Sequence, residues 1–393
     1  MKATAATSRL RPGKPDAAIF ATAMALVVIG LVFVYSASFA IALASFNDIN
    51  YFIVRQGVSA IVGLGLMVLF MRLDYHKLRL ASPALMLIAV LSLAAVLFVG
   101  NDSYGARRWI TVGSIPPFQP SEYAKLAMII YISAWLASRG KEVKTFALGF
   151  VPFIFMVGVV SALIILEPDT GTAVIVVLTT MALFFIAGAS MTHIGALIGI
   201  GTVTAAILVA AHSYRADRIL AFVSAEKDPS GVGFQILQLL IALGSGGVHG
   251  LGLGFSRQKF FYIPGAHTDG IFAIIGEEAG FVGAMVVLAL FAYLCYRGFR
   301  VALNARDDFG AYLATGIVAW IAFQTLVNIG GVTRSIPLTG IPLPFISYGG
   351  SALVMTMAAI GVLLSVSRYG RDQVYIERPS RQRTRPRVVA TAQ

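Results

Sequence analysis

The sequence predicts an all-α, polytopic integral membrane protein with ten transmembrane helices and a long extracytoplasmic loop between helices 7 and 8. Three observations carry that expectation. Of 393 residues, 58% are hydrophobic and only 12% charged, with a mean hydropathy of +0.83, far too apolar for a soluble domain of this size. Apolar runs separated by polar or Gly/Pro-rich punctuation recur ten times, each near the roughly 20 residues that cross a bilayer core. Twenty of the thirty lysines and arginines fall on alternate connections, which orients the chain.

The elements follow in order. Residues 1–16 are polar and basic and read as a cytoplasmic tail. The apolar run after Asp16 is much longer than the roughly 7 to 15 residues of a signal-peptide core, so it reads as an uncleaved first span. The spans are expected at 17–44, 51–71, 80–99, 121–138, 146–166, 171–188, 192–212, 270–296, 309–333 and 351–367. Together they form a membrane domain over 17–368, interrupted by the loop 213–269 and followed by a basic, Arg/Pro-rich tail, 369–393, that reads as disordered cytoplasm. With the N-terminus inside, the basic residues of the tails and of the turns around Arg72, Arg139 and Arg297 lie in the cytoplasm, and so do both termini.

The net charge of +12 does not point to nucleic acid, because its distribution follows the membrane sides. Eight basic residues fall outside: Arg107, Arg108, Arg215, Arg218, Lys227, Arg257, Lys259 and Arg334. Of these, Arg257 and Lys259, packed into "SRQKFFYIP", read as an anion site, whereas Arg215, Arg218 and Lys227 are equally compatible with a long loop that tolerates charge. One cysteine, Cys295, excludes an intramolecular disulfide. No metal site is predicted, since His76 and His193 fall on the face opposite His212, His249 and His267. No Walker or dinucleotide fingerprint follows a strand, and no convincing strands are present.

The loop 213–269 contains "GFQILQLLIALGSGG", too short to span and expected to lie at the outer surface or dip into the protein. The following "GSGGVHGLGLG" gives backbone able to approach a ligand closely, or a plain hinge. Four outer segments combine polar groups with unusual backbone. In residues 105–126, Ser121 is a plausible N-cap, and Glu122 and Lys125 share one helical face, able to line a cavity or to neutralise each other. In "LEPDTGTA", Asp169 can cap the sixth helix. The third is "SRQKFFYIPGAHTDG". The fourth, "GIPLPFISYGGSA", reads as a structural plug whose irregular backbone needs protein around it. What remains is a carboxylate among cations at the outer surface, a set suited to phosphate-bearing lipids.

These four segments together resemble the SEDS family (shape, elongation, division and sporulation) of peptidoglycan glycosyltransferases. The likeness runs from "LVFVYSAS" to "ISYGGSA", and "SRQKFFYIPGAHTD", "GEEAG" and "NIGGVTRSIPLTGIPLPFISYGG" look more like the FtsW branch than the RodA branch. The resemblance implies polymerisation of lipid II into glycan strands at the outer face of the cytoplasmic membrane, at the division septum, releasing undecaprenyl pyrophosphate with inversion. It implies Asp269 as the essential aspartate, with Arg108, Glu122, Lys125 and Asp169 at the family's other functional positions. Asp269 is then the general base, worth roughly 10² to 10⁴-fold, with Arg108, Lys125, Arg257 and Lys259 as pyrophosphate or saccharide contacts and His267 beside them. A divalent cation, Mg²⁺ or Mn²⁺, could assist. The implied partners are lipid II, a class B penicillin-binding transpeptidase and other divisome membrane proteins. The alternative is a lipid II flippase, and a third reading is a scaffold for the transpeptidase. Gly265 stands where the family pattern has glutamate, Gly270 where it has phenylalanine, and Arg334 where glycine is expected. Glu277 and Glu278 are expected to brace the cavity beneath the loop, paired with Arg55 or Lys125.

Overall fold

The computed structural model describes residues 12–103, 106–111, 117–211, 213–227 and 231–371. The expectations for residues 1–11, for the tail beyond Arg371 and for the middle of the 105–126 segment lie outside them. Among the described residues twelve α-helices carry the fold: α1 (Ala17–Phe46), α2 (Tyr51–Arg72), α3 (His76–Val99), α4 (Pro120–Arg139), α5 (Val151–Leu166), α6 (Thr170–Ile186), α7 (Met191–Ala210), α8 (Ser213–Val223), α9 (Val232–Ser245), α10 (Ile271–Leu303), α11 (Asp308–Val332) and α12 (Gly350–Arg368).

Eight of the ten predicted spans are long and apolar enough to cross a membrane. The remaining two, α4 and α6, form where expected but differ in kind. Helix α6 has only 17 residues, and α4 carries Glu122 and Lys125 on turns buried by protein. In α12 83% of the most apolar window is buried and in α7 none is, so α12 lies at the centre and α7 at the lipid-facing edge. Helix α12 packs most extensively on α2, α10 on α11 and α1, and α4 on α3 and α11.

One feature departs from the all-helical expectation. Strands β1 (Asn101–Ser103) and β2 (Ala106–Trp109) pair antiparallel ahead of α4. Helix α8, within the long loop, is short and amphipathic, so no hydropathy run announced it. The first-turn cap of α4 also differs: Gln119 is the N-cap and Pro120 occupies the first turn, while the Ser121 hydroxyl is buried with no partner among the described residues.

The glycine run of the long loop repairs a break in α10. At Gly280 the helix leaves helical geometry, with φ 69° and ψ −168°, a region open almost only to glycine. Backbone groups freed there find partners in the loop. Leu251 N donates to Glu277 O at 2.9 Å and Gly252 N to Glu278 O at 3.0 Å, while Phe281 N donates to Gly247 O at 2.9 Å and Val282 N to Val248 O at 3.1 Å. A Cβ on Gly280 would lie 2.3 Å from Gly250 N, so only bare backbone fits this crossing. The predicted short apolar helix is α9, which packs on α10, with Leu239 and Ala242 in the shared core and Ile236 against Ala221 and Ala225.

Arg334 has φ 54°, which explains why glycine suits this position. Its side chain then ties α8 down: Nε donates to Phe222 O at 3.0 Å, and the guanidinium also reaches Val223 O and Glu226 Oε1, each at 3.3 Å.

Candidate active site

The site is built around the segment from Leu338 to Ile341, where α6, α8, α10 and α11 meet. Asn328 of α11 clamps two segments at once, donating to Asp269 O at 2.9 Å and Ile341 O at 2.8 Å. Ser347 donates to Thr268 O at 2.6 Å and accepts from Leu343 N, while Tyr348 N donates to His267 O. Gln56 of α2 reads the same plug, donating to Ser347 O at 3.1 Å and accepting from Gly349 N. The proline- and glycine-rich plug therefore does what its sequence predicts, with protein groups satisfying its irregular backbone. Its role in the site is to fix His267 and Thr268, the two residues that precede Asp269.

Asp269 ends a tight turn. Thr268 N and Gly270 N both donate to Gly265 O, and Thr268 Oγ1 reaches Gly265 O at 2.9 Å and Asp269 Oδ1 at 3.0 Å. Gly265 has φ 68°, and a Cβ there would stand 2.6 Å from Asp269 Oδ1. The departure from glutamate thus keeps this turn closed around the carboxylate. At Gly270 a Cβ would meet Ile263 and Leu239 at 3.1 and 3.2 Å, so this turn packs tightly on α9.

Burial of Asp269 pushes its carboxyl above the ordinary range, and the Thr268 hydroxyl, local backbone donors and the Arg218 guanidinium draw it partly back. Arg218 lies on α8, where NH1 donates to Leu338 O at 3.1 Å. A Cβ on Gly340 would be 3.6 Å from Arg218 NH2 and 3.8 Å from Asp269 Oδ2, so Gly340 separates cation and carboxylate by little more than a methyl group. His267 packs between Phe52 and Tyr348, with ring centroids 4.6 and 5.6 Å away, and burial lowers its pKa to about 4. It is a neutral imidazole at physiological pH. Arg55, exposed at the outer end of α2, stacks over Tyr51 at 4.1 Å and acts electrostatically on Tyr348.

Other predicted site residues are placed away from that carboxylate. Lys259 is completely buried in an ion pair with Glu278 at 2.7 Å and also donates to Ser36 Oγ and Gly254 O. Its reading as an anion contact is corrected: its charge is spent inside. Glu277 accepts from Ser256 Oγ and from Arg257 N at 2.9 Å. The two glutamates brace the loop as expected, with Lys259 and serines rather than Arg55 or Lys125 as partners. Arg257 itself is exposed on this loop. Lys125 pairs with Glu122 at 2.9 Å, donates to Gln324 Oε1 at 2.9 Å and lies over Trp320, with both charged side chains buried. They form an internal pair, not an open anion contact.

A third group sits at the α5–α6 turn. Asp169 caps α6, accepting from Thr172 N and Oγ1 and from Gln119 Nε2. Arg108 grips the turn through Glu167 O at 3.0 Å and Pro168 O. Helix α6 then abuts the central segment, since a Cβ on Gly171 would be 2.6 Å from Ile341. Sequence reasoning passed over Glu167, whose carboxylate is fully buried without a hydrogen-bond partner among the described residues. Burial, reinforced by Asp169 and opposed by Arg108, raises its pKa from 4.5 to about 8. Between those values the folded protein keeps a proton that the unfolded chain has lost, so stability falls as pH rises through that window. Glu167→Gln is expected to stabilise the fold relative to wild type, by a margin that widens up to about pH 8 and is constant above it. Thermal unfolding across pH checks this; a margin independent of pH contradicts it.

Among the described residues no three His, Cys, Asp or Glu side chains group as metal ligands. Asp169 has both oxygens engaged, and Asp269 stands alone opposite an arginine. One carboxylate is too few for a closed protein cage, whereas Mg²⁺ is usually held by one or two carboxylates together with substrate phosphates.

Comparison with known proteins agrees with this architecture. The model of the cell cycle protein family FTSW_RODA_SPOVE matches residues 16–372. Stage V sporulation protein E of Bacillus subtilis (strain 168) is 45% identical over 359 residues, 91% of this chain and 98% of that protein. A probable peptidoglycan glycosyltransferase FtsW of Geobacter metallireducens is 41% identical, covering 90% of this chain and 94% of that one. A chain of a peptidoglycan synthase complex that coordinates polymerization and crosslinking superposes with a TM-score of 0.73 at 27% identity, covering 90% of this chain and 98% of that chain.

Proposed function

The chain belongs to the cell cycle protein family FTSW_RODA_SPOVE, and from that premise we propose that it is a peptidoglycan glycosyltransferase that polymerises lipid II. The observation that carries the reading is the placement of Asp269: a half-buried carboxylate with a raised pKa, held through Thr268 O and its own carbonyl and faced by Arg218 across Gly340. The orientation that goes with it puts both termini in the cytoplasm and this mouth outside, as the charge asymmetry supports. The division septum is the proposed place of work, supported by the FtsW relatives. A class B penicillin-binding transpeptidase is the proposed partner, supported by the likeness to a subunit of a synthase complex, with other divisome membrane proteins beside it.

In the proposed reaction the C4 hydroxyl of the acceptor GlcNAc attacks C1 of the donor MurNAc. Its proton passes to Asp269 while the bond from C1 to the diphosphate oxygen breaks. The electron pair leaves with undecaprenyl pyrophosphate, so configuration at C1 inverts. A raised pKa serves this role, because an ordinary aspartate is a weak base near neutral pH. Arg218, with Arg55 and Arg257, is the source of positive charge for the departing diphosphate. His267 supplies a neutral ring surface, and Arg108, Glu122, Lys125, Asp169 and Lys259 hold the mouth in shape.

Arg218→Gln tests this division of labour. Arg218 lowers the pKa of Asp269, so its loss raises that pKa further and moves the acid limb of the rate profile to higher pH. Polymerisation of lipid II measured from acid to alkaline pH checks it. An unmoved acid limb with a uniformly lower rate would separate Arg218 from Asp269.

A further inference from the structure

We propose that the end of the bundle opposite the active site holds a binding site for the phosphate of an acidic phospholipid. A cavity of about 130 Å³ opens there between the start of α1 and the ends of α10 and α12, lined by Asp16, Arg297, Arg300, Asn304, Ser367 and Gly370. It is far larger than the roughly 10 to 15 Å³ that admits one water.

Its charge balance is positive. The carboxylate of Asp16 is already committed: Oδ1 accepts from Ala18 N and Ile19 N, and Oδ2 from Arg297 NH2 at 2.6 Å. The Ser367 hydroxyl is likewise used, accepting from Asp16 N and donating to Leu364 O. Asn304 O accepts from Arg371 N. The arginines have donors left over. Nε of Arg297 is buried with no partner among the described residues, and Arg300 spends NH1 on Tyr296 Oη at 3.1 Å. Two guanidiniums thus face one compensated carboxylate, and the planar guanidinium fork suits phosphate oxygens.

The surroundings select the source of the phosphate. Tyr293, Tyr296 and Phe299 are exposed on the same stretch of α10 as the two arginines. Exposed aromatic rings beside basic residues at a helix end mark the level of lipid headgroups. At that level, on the side the basic residues favour, the abundant anion is the phosphodiester of acidic lipid. The leaflet assignment rests on the orientation proposed above, whereas the affinity of the cavity does not.

The test therefore uses the full chain in neutral detergent, where leaflets play no part. Native mass spectrometry counts dioleoyl phosphatidylglycerol and dioleoyl phosphatidylcholine retained from an equimolar mixture. Wild type is expected to favour phosphatidylglycerol. Arg300→Gln, which breaks only the contact with Tyr296, is expected to lower that preference about five-fold, the equivalent of roughly 1 kcal/mol per basic residue at a lipid surface. Arg297→Gln should act in the same direction, while Arg139→Gln, at a half-buried arginine paired with Glu142 elsewhere on that side, should not. An unchanged preference in Arg300→Gln overturns the proposal. Displacement of phosphatidylglycerol by millimolar inorganic phosphate also overturns it, in favour of a free-anion site. Because lipid retention is read independently of polymerisation, loss of the glycosyltransferase reading would leave this result standing.

Discussion

Replacing Asp269 with asparagine is expected to abolish polymerisation of lipid II while leaving the fold and lipid II binding intact. The side chains are nearly isosteric, and the contacts that fix the turn run through backbone: Asn328 to Asp269 O, Ser347 to Thr268 O and Gly270 N to Gly265 O. What asparagine lacks is the ability to accept a proton, a function worth on the order of 10² to 10⁴-fold in rate. The expected pattern is loss of kcat with substrate affinity retained. A binding measurement on the same preparation separates this from collapse of the mouth. If the variant polymerises normally, Asp269 is not the base, and a scaffold or transport role gains ground.

The second large effect concerns Lys259. Removing it as Lys259→Met leaves Glu278 charged in a fully buried position, with only Ser36 Oγ and Ser256 N as donors. Breaking one half of a buried ion pair costs about 3 to 5 kcal/mol. The loss should appear as a marked drop in thermal stability and as faster hydrogen exchange at the loop amides that cross the Gly280 break. Lys259→Met combined with Glu278→Leu removes both charges together, and buried pairs replaced in this way by apolar residues are often neutral or stabilised. The double variant is therefore expected to regain most of the stability, and polymerisation with it. Recovery of stability without activity would instead return Lys259 to the substrate.

How much of this was readable in the sequence depends on which force shaped each element. The spans were legible because a bilayer imposes about 20 apolar residues on each crossing helix. Helix α8 and the β1–β2 pairing were not, because short polar elements owe their form to neighbours. Asp269 stood out through its motif, and the plug through its prolines and glycines. Lys259 was misjudged for a physical reason: its position in the chain places it near Asp269, but pairing with Glu278 across the loop turns it inward. Arg218 was one of several loop cations without a spacing signal, and only the approach of the 338–341 segment brings it to Asp269. Glu167 lies within "LEPDTGTA" with no signal of its own, since nothing in sequence reports a buried carboxyl without a partner. Arg334 gained its account only from its backbone, left-handed and tied to the end of α8.

The reaction itself is the central claim, and one measurement reaches it. The purified chain, reconstituted with its transpeptidase partner in liposomes bearing fluorescent lipid II in the outer leaflet or in both, is assayed in parallel for glycan strands and for movement of lipid II between leaflets. The account predicts a ladder of glycan strands with the wild-type chain and none with Asp269→Asn. Movement of lipid II without strands, in wild type and variant alike, would contradict it and make the chain a transporter.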